Sequence, residues 1–207
     1  MSSIEERVFI AATNNAGKLA EIKKAFGSIG YTALSLEEAG VVSEPEENGK
    51  TFLQNAVIKA SAVGEQTGRA VVADDSGLLV EALGGLPGIH TARYAKEGCT
   101  DSDNIDKLLR ELEGLPAQDR RAWFAAAVVL LLPGGEMVSA HGYTAGRIGF
   151  EPRGALGFGY DPVFYVRGGL SFSELSEERK NAVSHRGRAI RKLCFKLKGI
   201  GRMKGYE

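Results

Sequence analysis

Apolar positions recur along the chain with two periods, and together these predict most of its elements. VFIAA (8–12) is a continuous apolar run, the pattern of a strand buried on both faces. After it, Leu19, Ile22, Phe26 and Ile29 return every three or four residues. That spacing predicts an amphipathic helix over 15–27, ended by Gly27 and Gly30. TALSLEEAGV reads as a short strand and a loop, and EPEENGK (44–50) as an acidic loop. Thr51 and Gln54 stand at capping-box spacing and start a second helix that runs to about Gly68. Phe52, Ala56, Val57, Ala60 and Val63 form its apolar face, while Asn55 and Lys59 share a different one. AVVADDSGLLVEAL (70–83) predicts a strand interrupted by its acidic residues.

The second half mixes the same periods with glycine-rich loops. GGLPGIHTARYA (84–95) is one such loop, and a helix from about Asp103 to Glu113 turns Ile105, Leu108, Leu109 and Leu112 inward. WFAAAVVLLL, the turn PGG and EMVSAHGYTAGRI predict a long β-hairpin. GALGFGYDPVFYV (154–166) is a second glycine-rich loop leading into a short strand, and Ser173 or a neighbour caps a helical segment. The last helix starts near His185 and buries Ala189, Ile190, Leu193 and Leu197. A single domain over 1–207 is expected, with 1–7 and 199–207 as flexible ends. Strands and helices do not alternate strictly, so a mixed sheet is expected rather than a parallel one.

Composition narrows the function class. The 207 residues are 43% hydrophobic and 25% charged, ordinary for a soluble domain, and 26 Lys plus Arg balance 26 Asp plus Glu. A neutral chain argues against a general nucleic-acid binder but leaves room for a small anionic ligand held by a few local cations. Cys99 and Cys194 form no CxxC pair and read as reduced thiols. MSSIEERVFI lacks the basic and apolar regions of a leader, and the longest apolar run, Trp123 to Leu132, is too short to cross a bilayer. A cytoplasmic protein without membrane contact is the expectation.

Five stretches carry candidate chemistry. TNNAGK (13–18) sits between the first strand and the first helix, where phosphate loops sit. It is no Walker loop, because Ala12 occupies the first glycine position and Leu19 the hydroxyl position. Its Asn and Gly residues suit a tight turn, the helix start adds partial positive charge, and Lys18 adds a full one; a plain capped helix start fits equally well. In VVADDSGL, neighbours on an extended chain face opposite ways, so Asp74 and Asp75 should have separate jobs, one facing a site and one holding structure. A carboxylate beside phosphates suits a magnesium ligand or a base for water. Glu44, Glu46 and Glu47 are the densest acidic loop and either a solvated surface or a source of a second ligand. Phe158 in FGYDP is either a stacking ring or a core aromatic. Lys180, His185 and Arg186 are either a solvated basic face or readers of a purine edge.

Taken in order, TNNAGKLAEI, EENGKTFLQNAVIKA, ADDSGLLVEALGGLPGIHTARYA, FGYDPVF and KNAVSHRGRA closely resemble the inosine/xanthosine triphosphate pyrophosphatases, over about Phe9 to Lys198. The resemblance implies an elongated two-lobed α/β fold around a long, curved mixed sheet, with a substrate cleft between the lobes. It implies a magnesium-dependent homodimer that cleaves deaminated purine nucleoside triphosphates to monophosphate and pyrophosphate. Carried over residue by residue, Thr13, Asn14, Asn15, Ala16, Gly17 and Lys18 match the triphosphate loop. Glu46 and Asp75 match the metal ligands, and Asp75 also matches the proposed base. Ser76, Phe158, Gly159, Tyr160, Asp161, Lys180, His185 and Arg186 match substrate contacts. The related septum-formation pyrophosphatases are disfavoured by ADDSG and SHRG, a phosphate-releasing P-loop enzyme by the failed Walker pattern, and a non-catalytic nucleotide binder by the intact Asp75 and Glu46.

Overall fold

A computed structural model describes residues 7–203. Six strands form one sheet in the order β2-β1-β3-β4-β5-β6. These are β1 (Val8–Ala11), β2 (Thr32–Leu34), β3 (Val71–Val80), β4 (Arg121–Leu131), β5 (Met137–Ile148) and β6 (Phe164–Tyr165). β1 runs parallel to both β2 and β3, and β5 antiparallel to β6, so the sheet is mixed as expected. A five-residue connection, 132–136, joins β4 to its sheet neighbour β5. That is too short for a parallel crossover and makes the predicted hairpin.

Among the described residues, five α-helices accompany the strands: α1 (Ala16–Gly27), α2 (Phe52–Thr67), α3 (Asp101–Glu111), α4 (Glu177–Val183) and α5 (His185–Met203). Asn15 caps α1 by accepting from the Lys18 amide, and Thr51 caps α2 by accepting from that of Gln54. α2 ends on Gly68 at φ 63°, a left-handed residue that glycine adopts without a steric penalty. α3 begins two residues earlier than the periodicity suggests, because Thr100 and Asp103 exchange both bonds of a capping box. Ser176 caps α4, while Ser171 caps the short 3-10 turn before it. α5 continues past its buried Leu197 to Met203. Of the loose ends expected at 1–7 and 199–207, residues 199–203 belong to α5, while 1–6 and 204–207 lie outside the described residues.

β3 is the main departure from expectation. It runs unbroken through Asp74 and Asp75, both buried, rather than being interrupted there. Cations from other elements partner both carboxylates, so the ladder has no need to open.

Contacts divide the chain into two compact units, the first comprising 1–75, 126–142 and 186–207, the second 76–125 and 143–185. The first holds two apolar clusters. One is built on Phe9, Ile22, Phe26, Val128, Ile190 and Leu193, the other on Ile10, Ala56, Ala60, Val63 and Ala73. The second unit has its own cluster around Leu78, Leu108, Phe124, Phe164 and Phe172. No helix among the described residues is long and apolar enough to cross a membrane.

Candidate active site

In the first unit, alternation along β3 sends its two carboxylates to different partners. Asp74 Oδ2 accepts from Arg186 Nε at 2.8 Å and lies 3.5 Å from Lys18 Nζ. Arg186 NH1 donates to Glu21 Oε2, also at 2.8 Å. Glu21 on α1, Asp74 on β3 and Arg186 at the start of α5 are all buried, so four side chains alternate in sign from Glu21 through Arg186 and Asp74 to Lys18. Burial alone would raise the Asp74 carboxyl, but the charges of Arg186, Lys18 and Lys59 hold it well below the usual carboxylate range. Burial lowers the Lys18 ammonium from its ordinary value, with Asp74 opposing that shift.

Asp75 meets α2 instead. Lys59 Nζ donates to its Oδ1 at 3.0 Å, and Asn55 Nδ2 to its Oδ2 at 3.3 Å. Burial pushes the Asp75 carboxyl up, against the pull of Lys59 and Lys18. The same Lys59 ammonium bonds Glu47 Oε2 at 3.0 Å. Asn55 Oδ1 in turn accepts from the Gly49 amide at 2.8 Å, which fastens the acidic loop to the helix. Asp74 and Asp75 thus have different partners, Arg186 and Lys18 for the first, Lys59 and Asn55 for the second. The sequence pattern gives no chemistry to Asn55, Lys59 and Glu21, and places Glu47 only in the acidic loop. The signal that pointed to two of them was the shared polar face of Asn55 and Lys59, four residues apart on α2.

The loop 13–18 is a turn held by its own side chains. The Asn15 amide donates to Thr13 Oγ1 at 3.2 Å, and Asn14 Nδ2 to the Ser43 carbonyl at 3.4 Å. Ala16 and Gly17 form the first turn of α1, whose N-terminus favours an anion. The donor set also suits a divalent cation. Among the described residues no three His, Cys, Asp or Glu side chains gather. Magnesium, however, is usually carried on one or two carboxylates together with substrate phosphate oxygens. Asp75 and the acidic loop supply hard oxygen donors of that kind, and the two carboxylates bridged by Lys59 already draw a cation. Glu46 itself is solvent-exposed, and its carbonyl accepts from the Asn48 amide.

The second unit carries the remaining candidates. Lys180 on α4 bonds Asp161 Oδ2 at 2.6 Å and stands 4.6 Å over the Phe158 ring. Asp161 Oδ2 also accepts from the Phe158 amide at 2.9 Å. Gly157, at φ 85°, lies so close that an added Cβ would collide with that same oxygen, so glycine is required there. Phe158 is half-buried with Lys180 over its face, whereas Tyr160 is buried in the core with its hydroxyl on the Thr91 carbonyl. The Gly159 amide donates to Asp101 Oδ2. His185 is buried and stacks on Phe124, with ring centroids 4.6 Å apart. Ser76, the residue after Asp75 on β3, is half-buried.

A mixed α/β protein with a buried chain of alternating charge beside a helix N-terminus is the class that this fold and these side chains define. The chain belongs to the Ham1 family, whose model matches residues 9–196. It is 48% identical over 189 residues to the dITP/XTP pyrophosphatase of Bacillus licheniformis, a match covering 91% of this chain and 96% of that one. It is 45% identical to the dITP/XTP pyrophosphatase of Bacillus subtilis, covering 89% and 93%. Among solved structures, the Staphylococcus aureus Ham1 protein superposes with a TM-score of 0.82 at 39% identity, covering 93% of this chain and 98% of that one.

Proposed function

We propose that this protein hydrolyses the deaminated purine nucleoside triphosphates ITP, dITP and XTP to the monophosphate and pyrophosphate. Relatives of nearly the same length that are named dITP/XTP pyrophosphatases support the reading. The observation that carries it is Asp75, a buried carboxylate held by an ammonium and an amide beside an acidic loop. Glu46 and Asp75 would hold a magnesium ion. Such an ion, bound with the triphosphate, would offset phosphate charge and polarise the scissile linkage.

Asp75 takes a proton from the attacking water as the water oxygen bonds to the α-phosphorus. The α–β phosphoanhydride bond breaks, and pyrophosphate leaves with the electron pair. Lys18 and the amides at the start of α1 hold the leaving group, and Lys59 keeps the Asp75 carboxylate oriented. Phe158 offers a ring face to the purine, and His185 reads its 6-oxo group. Arg186 acts on the site through Asp74, because two of its donors are committed to buried carboxylates. A homodimer and a cytoplasmic location complete the proposal, the first checked by sedimentation equilibrium and the second by cell fractionation.

The deciding assay is a panel of nucleoside triphosphates with magnesium, scored separately for pyrophosphate and orthophosphate. Pyrophosphate release from ITP and XTP, far faster than from ATP, is the expected result. Orthophosphate as the first product would sink the reading.

A further inference from the structure

We propose that Asp101, on the first turn of α3, is a positioning residue that sets how the loop 157–161 receives the purine. The inference rests on the reading above that Phe158 stacks on the base. Asp101 Oδ2 accepts from the Gly159 amide at 2.6 Å, across 58 residues of chain. The amide just before it, that of Phe158, is taken by Asp161 Oδ2 at 2.9 Å. Two consecutive amides are therefore each caught by a carboxylate, and the backbone that carries the Phe158 ring has little freedom to turn. Both are bonds of an N–H to an ionised acceptor, the stronger kind of hydrogen bond.

The start of α3 does not need Asp101. Thr100 and Asp103 cap the helix between themselves, with the Asp103 amide on Thr100 Oγ1 at 3.2 Å and the Thr100 amide on Asp103 Oδ2 at 2.8 Å. Asp101 is also exposed, so no core contact explains its place. An acid in a first helical turn gains something from the helix dipole. That gain does not depend on a bond to a distant loop. The bond to Gly159 gives Asp101 a separate role, to keep the loop formed before substrate arrives, so that the ring need not be ordered on binding.

The test compares wild type with Asp101→Ala, Asp101→Asn and, as a control on the helix start, Asp103→Ala. Amide exchange of Gly159, followed by NMR in the substrate-free protein, should speed up about tenfold in Asp101→Ala, the scale of one hydrogen bond to a charged acceptor. The KM for ITP should rise by a similar factor, with kcat changed less than twofold. Inhibition by inorganic tripolyphosphate, which has no base, should not move. Asp101→Asn keeps an acceptor oxygen and should recover most of the loss, and Asp103→Ala should lower Tm without touching the ITP KM. Unchanged Gly159 exchange in Asp101→Ala would overturn the clamp, and so would equal weakening of ITP and tripolyphosphate. A wild type that ignores ITP while Asp101→Ala loosens Gly159 would instead overturn the substrate reading and leave the clamp standing.

Discussion

The buried charges of the first unit and the aromatic loop of the second both order functional groups with carboxylates, but over very different distances in sequence. Arg186 reaches Asp74 across 112 residues and Glu21 across 165. In the loop, Asp161 bonds an amide three residues away and an ammonium nineteen residues away. The first set is sealed in the core, where each charge depends on its neighbour to offset the cost of leaving water. In the second the Asp161–Lys180 pair is buried as well, but the loop it orders at 157–159 is exposed or half-buried, and a bond lost there is replaced by water at a lower cost. Damage to the first should therefore appear in folding and turnover together, and damage to the second mainly in substrate affinity.

The largest effect that separates them is Arg186→Ala. It removes the guanidinium that bonds both buried carboxylates, Asp74 and Glu21, and urea denaturation should show a loss of about 3–5 kcal/mol. A loss below about 1 kcal/mol would mean that water reaches these acids. Next comes Asp75→Asn, which lies outside the Arg186–Asp74–Glu21 chain and so keeps the shape and the fold but removes the base. Turnover should fall by about 100-fold or more with Tm nearly unchanged, and retention of a tenth of wild-type kcat would move the base elsewhere. In the loop, Gly157→Ala forces a side chain into a left-handed position and against the Asp161 carboxylate. The strain is on the order of 1–3 kcal/mol, and it should appear as a higher KM for ITP with a small change in Tm. An unaffected KM would separate the loop from base binding.

The smallest effect is on pH dependence. Asp74 is held below its ordinary range in the folded state, so the stability it adds is present above the unfolded carboxyl pKa of about 3.9 and is lost as pH falls below it. Unfolding free energies measured from pH 6 to pH 3 should therefore decline more steeply for wild type than for Asp74→Asn. Equal slopes would show that Asp74 is not the group that titrates.

The hairpin, the start of α2 with its cap Thr51 and the start of α5 at His185 were legible in the sequence, because they depend on side chains a few residues apart and on apolar spacing. That Asp74 and Asp75 meet different partners was legible from the chain itself, since a strand alternates its faces. The reach of Arg186 was not. A basic residue at a helix start looks the same in a sequence whether it points to a ligand or, as here, into a core where Glu21 and Asp74 wait. Lys59 and Glu47 meeting at Asp75, and Asp101 meeting Gly159, also depend on which faces of distant elements come together. Local periodicity decides which face of an element is buried. Only the packing of the whole chain decides what that face meets, because the free energy of a buried charge is set by its neighbours in space.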